Sequence, residues 1–166
     1  LGGGGALGMT LLPGKKRRGF SGPQWRDAIA DARRLREVHG CATLLLLVED
    51  VDLEISRARE TIPALAAAGI RVIRHPVPDM GVPRDRWAFR ATLDEVMARV
   101  RAGERVVVAC RGGLGRTGTA VACLLVDGGV AAEDAIGLVR AARPGTIERA
   151  TQEAFVADWK RARVDG

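Results

Sequence analysis

The sequence predicts an α/β fold, a mainly parallel central sheet flanked by helices on both faces. Two observations carry that prediction. Strand-like apolar runs alternate with segments of helical periodicity along most of the chain, which then ends in helices. The run CATLLLLV at 41–48 shows no polar alternation, as suits a strand covered on both sides in a parallel sheet.

Taken in order, residues 9–12 read as a short strand and LPGKKRRGFSG (12–22) as a loop. Pro23 then opens a helix whose apolar positions Trp25, Ile29, Ala32 and Leu35 keep helical spacing up to Gly40. After the strand at 41–48, residues 52–68 read as helical, with Pro63 marking a break or restart, and Gly69 ends them before the strand IRVIRH (70–75). Three prolines and a glycine enforce a loop from Pro76 to Pro83. Trp87 to Ala102 forms an amphipathic helix closed by Gly103, and RVVVA (105–109) is a further strand. CRGGLGRTG (110–118) precedes an apolar helix from about Thr119 to Val126, and two helices follow, near 132–142 and 149–163, separated by ArgProGly at 143–145.

With 166 residues, 47% of them apolar and 28% charged, the chain fits one globular domain, which at this size buries about 70% of its unfolded surface. We expect residues 1–8 to be a weakly ordered N-terminus and 9–166 to form the domain. The net charge is +6, and all but three of the 26 cations are arginines. That excess suits either a solvated surface shaped by coding bias or an anionic partner held by bidentate guanidinium groups. Three cysteines without a signal-peptide layout argue for free thiols in a reducing, cytoplasmic setting. No apolar run reaches the 18 or so residues of a membrane span.

The segment 110–118 admits three phosphate-loop readings. Gly113, Gly115 and Gly118 satisfy a dinucleotide fingerprint, but no strand follows the helix, and the next acidic pair, Glu133 and Asp134, opens another helix. A Walker-type loop would need glycine where Cys110 stands and lysine where Arg116 stands. The third reading uses every residue. Cys110 followed at six residues by Arg116 places a thiol at the bottom of a cradle of backbone N–H groups at a helix N-terminus, with the guanidinium closing the rim. Such a cradle binds a tetrahedral dianion, and its dipole favours the thiolate as nucleophile. The ordinary reading of Cys110, a small buried hydrophobe at a strand end, does not account for the glycines and the arginine. Displacement of a phosphoester by that thiolate needs an acid on a loop that can close. Asp79, 31 residues before Cys110 on the proline-rich loop, lies at the matching sheet edge, and Asp85 is the substitute. The ordinary reading of a Pro-Asp pair is a turn.

These residues resemble the signature loop and acid loop of the cysteine-dependent protein tyrosine phosphatases, in their dual-specificity branch. Further similarity to the kinase-associated (cyclin-dependent kinase inhibitor 3-like) group lies in LeuProGly at 12–14 beside Lys15, HisPro-x-x-Asp at 75–79 with Gly81 and Pro83, GlyGlyLeuGlyArg at 112–116, AlaCysLeuLeu at 122–125, and the segment from Arg143 to Glu148 with Gln152 and Phe155. The resemblance implies a phosphatase domain over 9–166 that hydrolyses phosphotyrosine, with phosphoserine or phosphothreonine also in range, through a phosphocysteine. It implies that Arg111, Gly112, Gly113, Leu114, Gly115 and Arg116 hold the phosphate, that Thr117 stabilises the departing thiolate, and that Gln152 helps place the hydrolytic water. It implies no metal and no cofactor; phosphoprotein or small phosphoester substrates, no nucleic-acid partner and a monomer are expected.

Two departures stand out. Ala109 occupies the place of a histidine that anchors the loop in most members, and Arg111 adds a cation one residue from the sulfur. The chain has no tyrosine, so a shallower site than that of the phosphotyrosine-specific branch is expected. A slow phosphate-binding pseudophosphatase and a rhodanese-like sulfurtransferase are the competing readings. Lys15 to Arg18 reads as a solvated basic run or a substrate rim. His39 and His75 read as helix-end and strand-end residues, Trp25, Trp87 and Trp159 as core residues of helices, and Cys41 and Cys123 as core, with Cys123 a redox partner for Cys110 if the two are close.

Overall fold

The computed structural model describes residues 4–19 and 22–159, with residues 17–19 and 22–24 by backbone alone. The first half comprises β1 (Ala6–Leu11), β2 (Lys16–Gly19), β3 (Gly22–Trp25), α1 (Ala28–Glu37), β4 (Cys41–Leu46), α2 (Asp50–Ile55) and α3 (Thr61–Ala67). Then come β5 (Arg71–Arg74), α4 (Arg86–Arg101), β6 (Arg105–Cys110), α5 (Gly115–Asp127), α6 (Ala132–Ala142) and α7 (Ala150–Ala157). Four strands form one sheet in the order β1-β6-β4-β5, every neighbouring pair parallel, with Leu11 opposite Cys110 and Leu46 opposite Ala109. Leu44 to Leu47 are fully buried in succession. Because neighbouring side chains on a strand point to opposite faces, both faces of β4 are covered. Helices α1 and α3 pack on each other and against β4 and β5, while α4 and α5 pack against β6, and α6 and α7 lie on α5. Parallel strands place all their carboxyl ends on one edge, so the loops after β4, β5 and β6 converge there.

Several expected boundaries shift. Strand β1 begins at Ala6, paired with Arg105, so residues 6–8 belong to the sheet rather than to a weakly ordered terminus; residues 1–3 lie outside the described residues. The loop expected at 12–22 holds β2, which pairs antiparallel with β3, and Pro23 sits in that ribbon opposite Arg18 instead of opening a helix. A two-stranded ribbon has edges on which proline's missing N–H costs no ladder bond. Helix α1 starts at Ala28 because the Asp27 carboxylate accepts the Ala30 N–H at 2.8 Å. The helix expected over 52–68 is two, α2 and α3, with Pro63 in the first turn of the second, where no intrahelical N–H is required. Helix α7 ends at Ala157; residues 160–163 of the expected helix lie outside the described residues. Among the described residues no helix is long and apolar enough to cross a membrane.

The tryptophans divide. Trp25 lies in β3 and Trp87 at the start of α4, and they are 64% and 63% exposed, so neither is a core residue. Trp159, just past α7, is fully buried. It meets Phe89 edge-on at 5.7 Å and Phe155 at 5.5 Å, and the Arg90 guanidinium lies 4.1 Å from its ring centre. Arg90 also donates to the Trp159 carbonyl at 2.9 Å and pairs with Asp127 at 3.2 Å. This cluster fastens the end of the described chain to α4 and α5. Trp159→Ala is therefore expected to cost about 3–5 kcal/mol in a chemical-denaturation midpoint measurement, whereas Trp87→Ala should stay within about 0.5 kcal/mol.

Candidate active site

At the end of β6 the backbone bends through residues 111–114 and enters α5 at Gly115. Cys110 sits at the base, 3% exposed, and its Sγ accepts the Gly113 N–H at 3.2 Å. Gly113 has φ +69°, and a Cβ there would stand 2.5 Å from the Thr10 carbonyl, so the end of β1 backs the loop and admits no side chain. Around Gly112 there is no atom within 4 Å of an added Cβ. The loop is thus pressed against β1 on one side and open on the other.

Arg116 is buried in the first turn of α5. Its Nη1 donates to Asp52 at 2.7 Å and to the Val77 carbonyl at 2.9 Å, and its Nη2 donates to Asp79 at 2.9 Å. Burial opposes the positive charge, but the Asp52 hydrogen bond and the negative potential of Cys110, Asp52 and Asp79 outweigh it and raise the pKa. Arg111 donates to the second oxygen of Asp79 at 2.5 Å and lies 3.6 Å from the second oxygen of Asp52. The four groups close a ring in which each carboxylate bridges both guanidiniums. The Arg111 charge is engaged by both carboxylates.

Asp52 escaped the sequence reading. It is 1% exposed, lies in α2 and also accepts the Glu49 N–H at 3.0 Å, fixing the entry of that helix. Its placement just beyond the carboxyl end of β4, on the edge that carries Cys110 and Asp79, was the available signal. Asp85, the substitute acid, instead caps α4, accepting the N–H groups of Trp87 and Ala88 at 2.9 and 3.0 Å. Gln152 is fully buried with both polar ends engaged: Nε2 donates to the Gly81 carbonyl at 3.1 Å, and Oε1 accepts the Glu148 N–H at 3.0 Å. It braces the acid loop from α7. Thr117 is fully buried with no hydrogen-bond partner on its hydroxyl. Ala109 is buried in β6.

The remaining polar residues take ordinary places. His75 packs edge-on to Phe89 at 4.9 Å and meets the Thr92 hydroxyl at 2.9 Å, and burial lowers its pKa. Lys16 pairs with Glu60 at 3.7 Å; the side chains of Arg17 and Arg18 lie outside the described residues. His39 is exposed beyond the end of α1. Cys41, Cys110 and Cys123 are all free.

A family model described as "Polymorphic toxin system, DSP-PTPase phosphatase" matches residues 18–130. Cyclin-dependent kinase inhibitor 3 of Rattus norvegicus is 25% identical over 157 residues, covering 93% of this chain and 71% of that protein. A crystal structure of kinase associated phosphatase, with its catalytic site cysteine replaced by serine, has a TM-score of 0.87 at 23% identity, covering 96% of this chain and 88% of that one. The active form of Tk-PTP gives a TM-score of 0.68 at 30% identity, covering 78% of this chain and 86% of that one.

The two loop glycines provide a test of the geometry. Gly113→Ala should abolish measurable binding of vanadate, because a Cβ would force the loop off β1, while Gly112→Ala should bind it within a few-fold of wild type. Isothermal titration with vanadate measures both.

Proposed function

The chain belongs to the DSP-PTPase phosphatase family of polymorphic toxin systems, cysteine-dependent phosphatases, and from that premise we propose that Cys110 is its nucleophile, Arg116 its phosphate clamp and Asp79 its general acid. The observation that supports this reading is the convergence of the three at the carboxyl edge of the sheet, where the guanidinium of Arg116 spans from α5 to Asp79 on the acid loop. The substrate is a phosphomonoester, with phosphotyrosine and phosphoserine or phosphothreonine in range.

The substrate dianion enters the cradle of backbone N–H groups at 111–116 and takes over the Arg116 donor that Asp79 otherwise holds. Sulfur of Cys110 attacks phosphorus in line with the ester oxygen; the S–P bond forms as the P–O bond breaks, and Asp79 delivers its proton to the departing oxygen. The phosphocysteine is then hydrolysed: water attacks phosphorus, its proton passes to Asp79, and the S–P bond returns its electron pair to sulfur. Thr117, whose buried hydroxyl has no partner among the described residues, supplies a donor in the first turn of α5 for that returning thiolate. Gln152 serves by holding the acid loop in register through Gly81.

Turnover of p-nitrophenyl phosphate tests the reading against its rivals: a pseudophosphatase would bind phosphate without turnover, and a sulfurtransferase would consume thiosulfate instead. Cys110→Ser should abolish turnover yet still bind tungstate. Iodoacetate at pH 7 should label Cys110 alone, because burial pushes the Cys41 thiol up to about 11 and the Cys123 thiol well above its ordinary value, leaving both protonated. Asp79→Asn should bind inorganic phosphate more tightly than wild type, since a competing carboxylate has left the clamp, while turning substrate over more slowly.

A further inference from the structure

The four members of the charge ring are not equivalent. Asp52 is buried and anchored to the start of α2, whereas the Asp79 side chain is 35% exposed on a proline-rich loop. Arg116 Nη1 is committed to Asp52 and to the Val77 carbonyl, so its exchangeable contact is the one from Nη2 to Asp79 Oδ1. Arg111 holds the other oxygen, Oδ2, and reaches Asp52 on its far side. A dianion that takes over Arg116 Nη2 therefore frees one oxygen of Asp79 and leaves the other held.

We propose that Arg111 is the positioning residue for the general acid: it keeps Asp79 docked over the cradle by Oδ2 after substrate has displaced Oδ1 from Arg116. This rests on the reading of Asp79 as the acid. Oδ1 then carries the proton and faces the leaving oxygen; the proton moves to that oxygen as the P–O bond breaks and sulfur bonds to phosphorus. Two other features hold the acid loop. Met80 adopts φ +60°, a left-handed backbone that a non-glycine residue keeps only when its surroundings impose it, and Gln152 grips Gly81. Neither touches the carboxylate. Arg111 and Arg116 do, and only Arg111 is spared by the incoming phosphate.

The test compares kcat for phenyl phosphate, a poor leaving group, with kcat for p-nitrophenyl phosphate, a good one, in wild type, Asp79→Asn, Arg111→Ala, Arg111→Lys and the Arg111→Ala/Asp79→Asn pair. Loss of acid assistance is expected to lower the phenyl-to-nitrophenyl ratio by about 10²-fold or more in Asp79→Asn. Arg111→Ala should lower the same ratio by at least about 10-fold, Arg111→Lys should restore part of it, and the double variant should sit no lower than Asp79→Asn. Where Arg111→Ala does not fold, Arg111→Lys carries the comparison, with a smaller fall in the same direction. A ratio lowered by Asp79→Asn but unchanged by Arg111 substitution overturns the positioning role and leaves the acid assignment standing. A ratio unchanged in Asp79→Asn overturns the acid assignment, and the positioning role with it.

Discussion

A guanidinium taken out of water has to be met by acceptors, and the Arg116 side chain is 2% exposed. Its acceptors come from two separate stretches of chain: Asp52 in α2, and the Val77 carbonyl with Asp79 on the loop that leaves β5. Those stretches share one location, the carboxyl edge of a sheet whose strands all run the same way. An antiparallel arrangement of the same strands would send half of them to the opposite edge and leave the cation stranded. Satisfying that one buried charge thus relies on the parallel sheet, on the short helix at 50–55 and on the inward path of the loop that carries Asp79.

What was legible in the sequence was local. Cys110 and Arg116 stand out because their spacing, with glycines between, is meaningful within nine residues, and β4 because Leu44 to Leu47 form an unbroken apolar run. Asp79 was legible through its prolines. Asp52 was not, because in EDVDLE it is one of four acidic residues, and what distinguishes it is a partner 64 positions away. The β2–β3 ribbon was hidden by its composition: lysine, arginine, glycine and proline carry no strand signal, so Pro23 and Trp25 read as the start of a helix. Trp87 at helical spacing read as core, but at the start of α4 its ring stays 63% exposed among the described residues. Gln152 was noticed through resemblance alone, and its hydrogen bonds to Gly81, Glu148 and Arg149 join stretches of chain that no local pattern connects.

The three cysteines sit in different surroundings. Cys41 and Cys123 lie among apolar side chains, where burial disfavours the thiolate. Cys110 is hardly more exposed, yet its sulfur looks onto a backbone N–H and the first turn of a helix.

The brace formed by Gln152 has a mechanical consequence. Its amide grips the acid loop at Gly81, and its other end is locked into the start of α7, a helix of eight residues whose far end is clamped by Phe155, Trp159 and the stacked arginines Arg86 and Arg90. The last helix of the described chain is accordingly held at both ends, by the loop at Gly81 on one side and by the aromatic cluster on the other. The aromatic socket of Trp159 and the loop that carries Asp79 are thus joined through one short helix, so the C-terminal segment and the seating of Asp79 share a support.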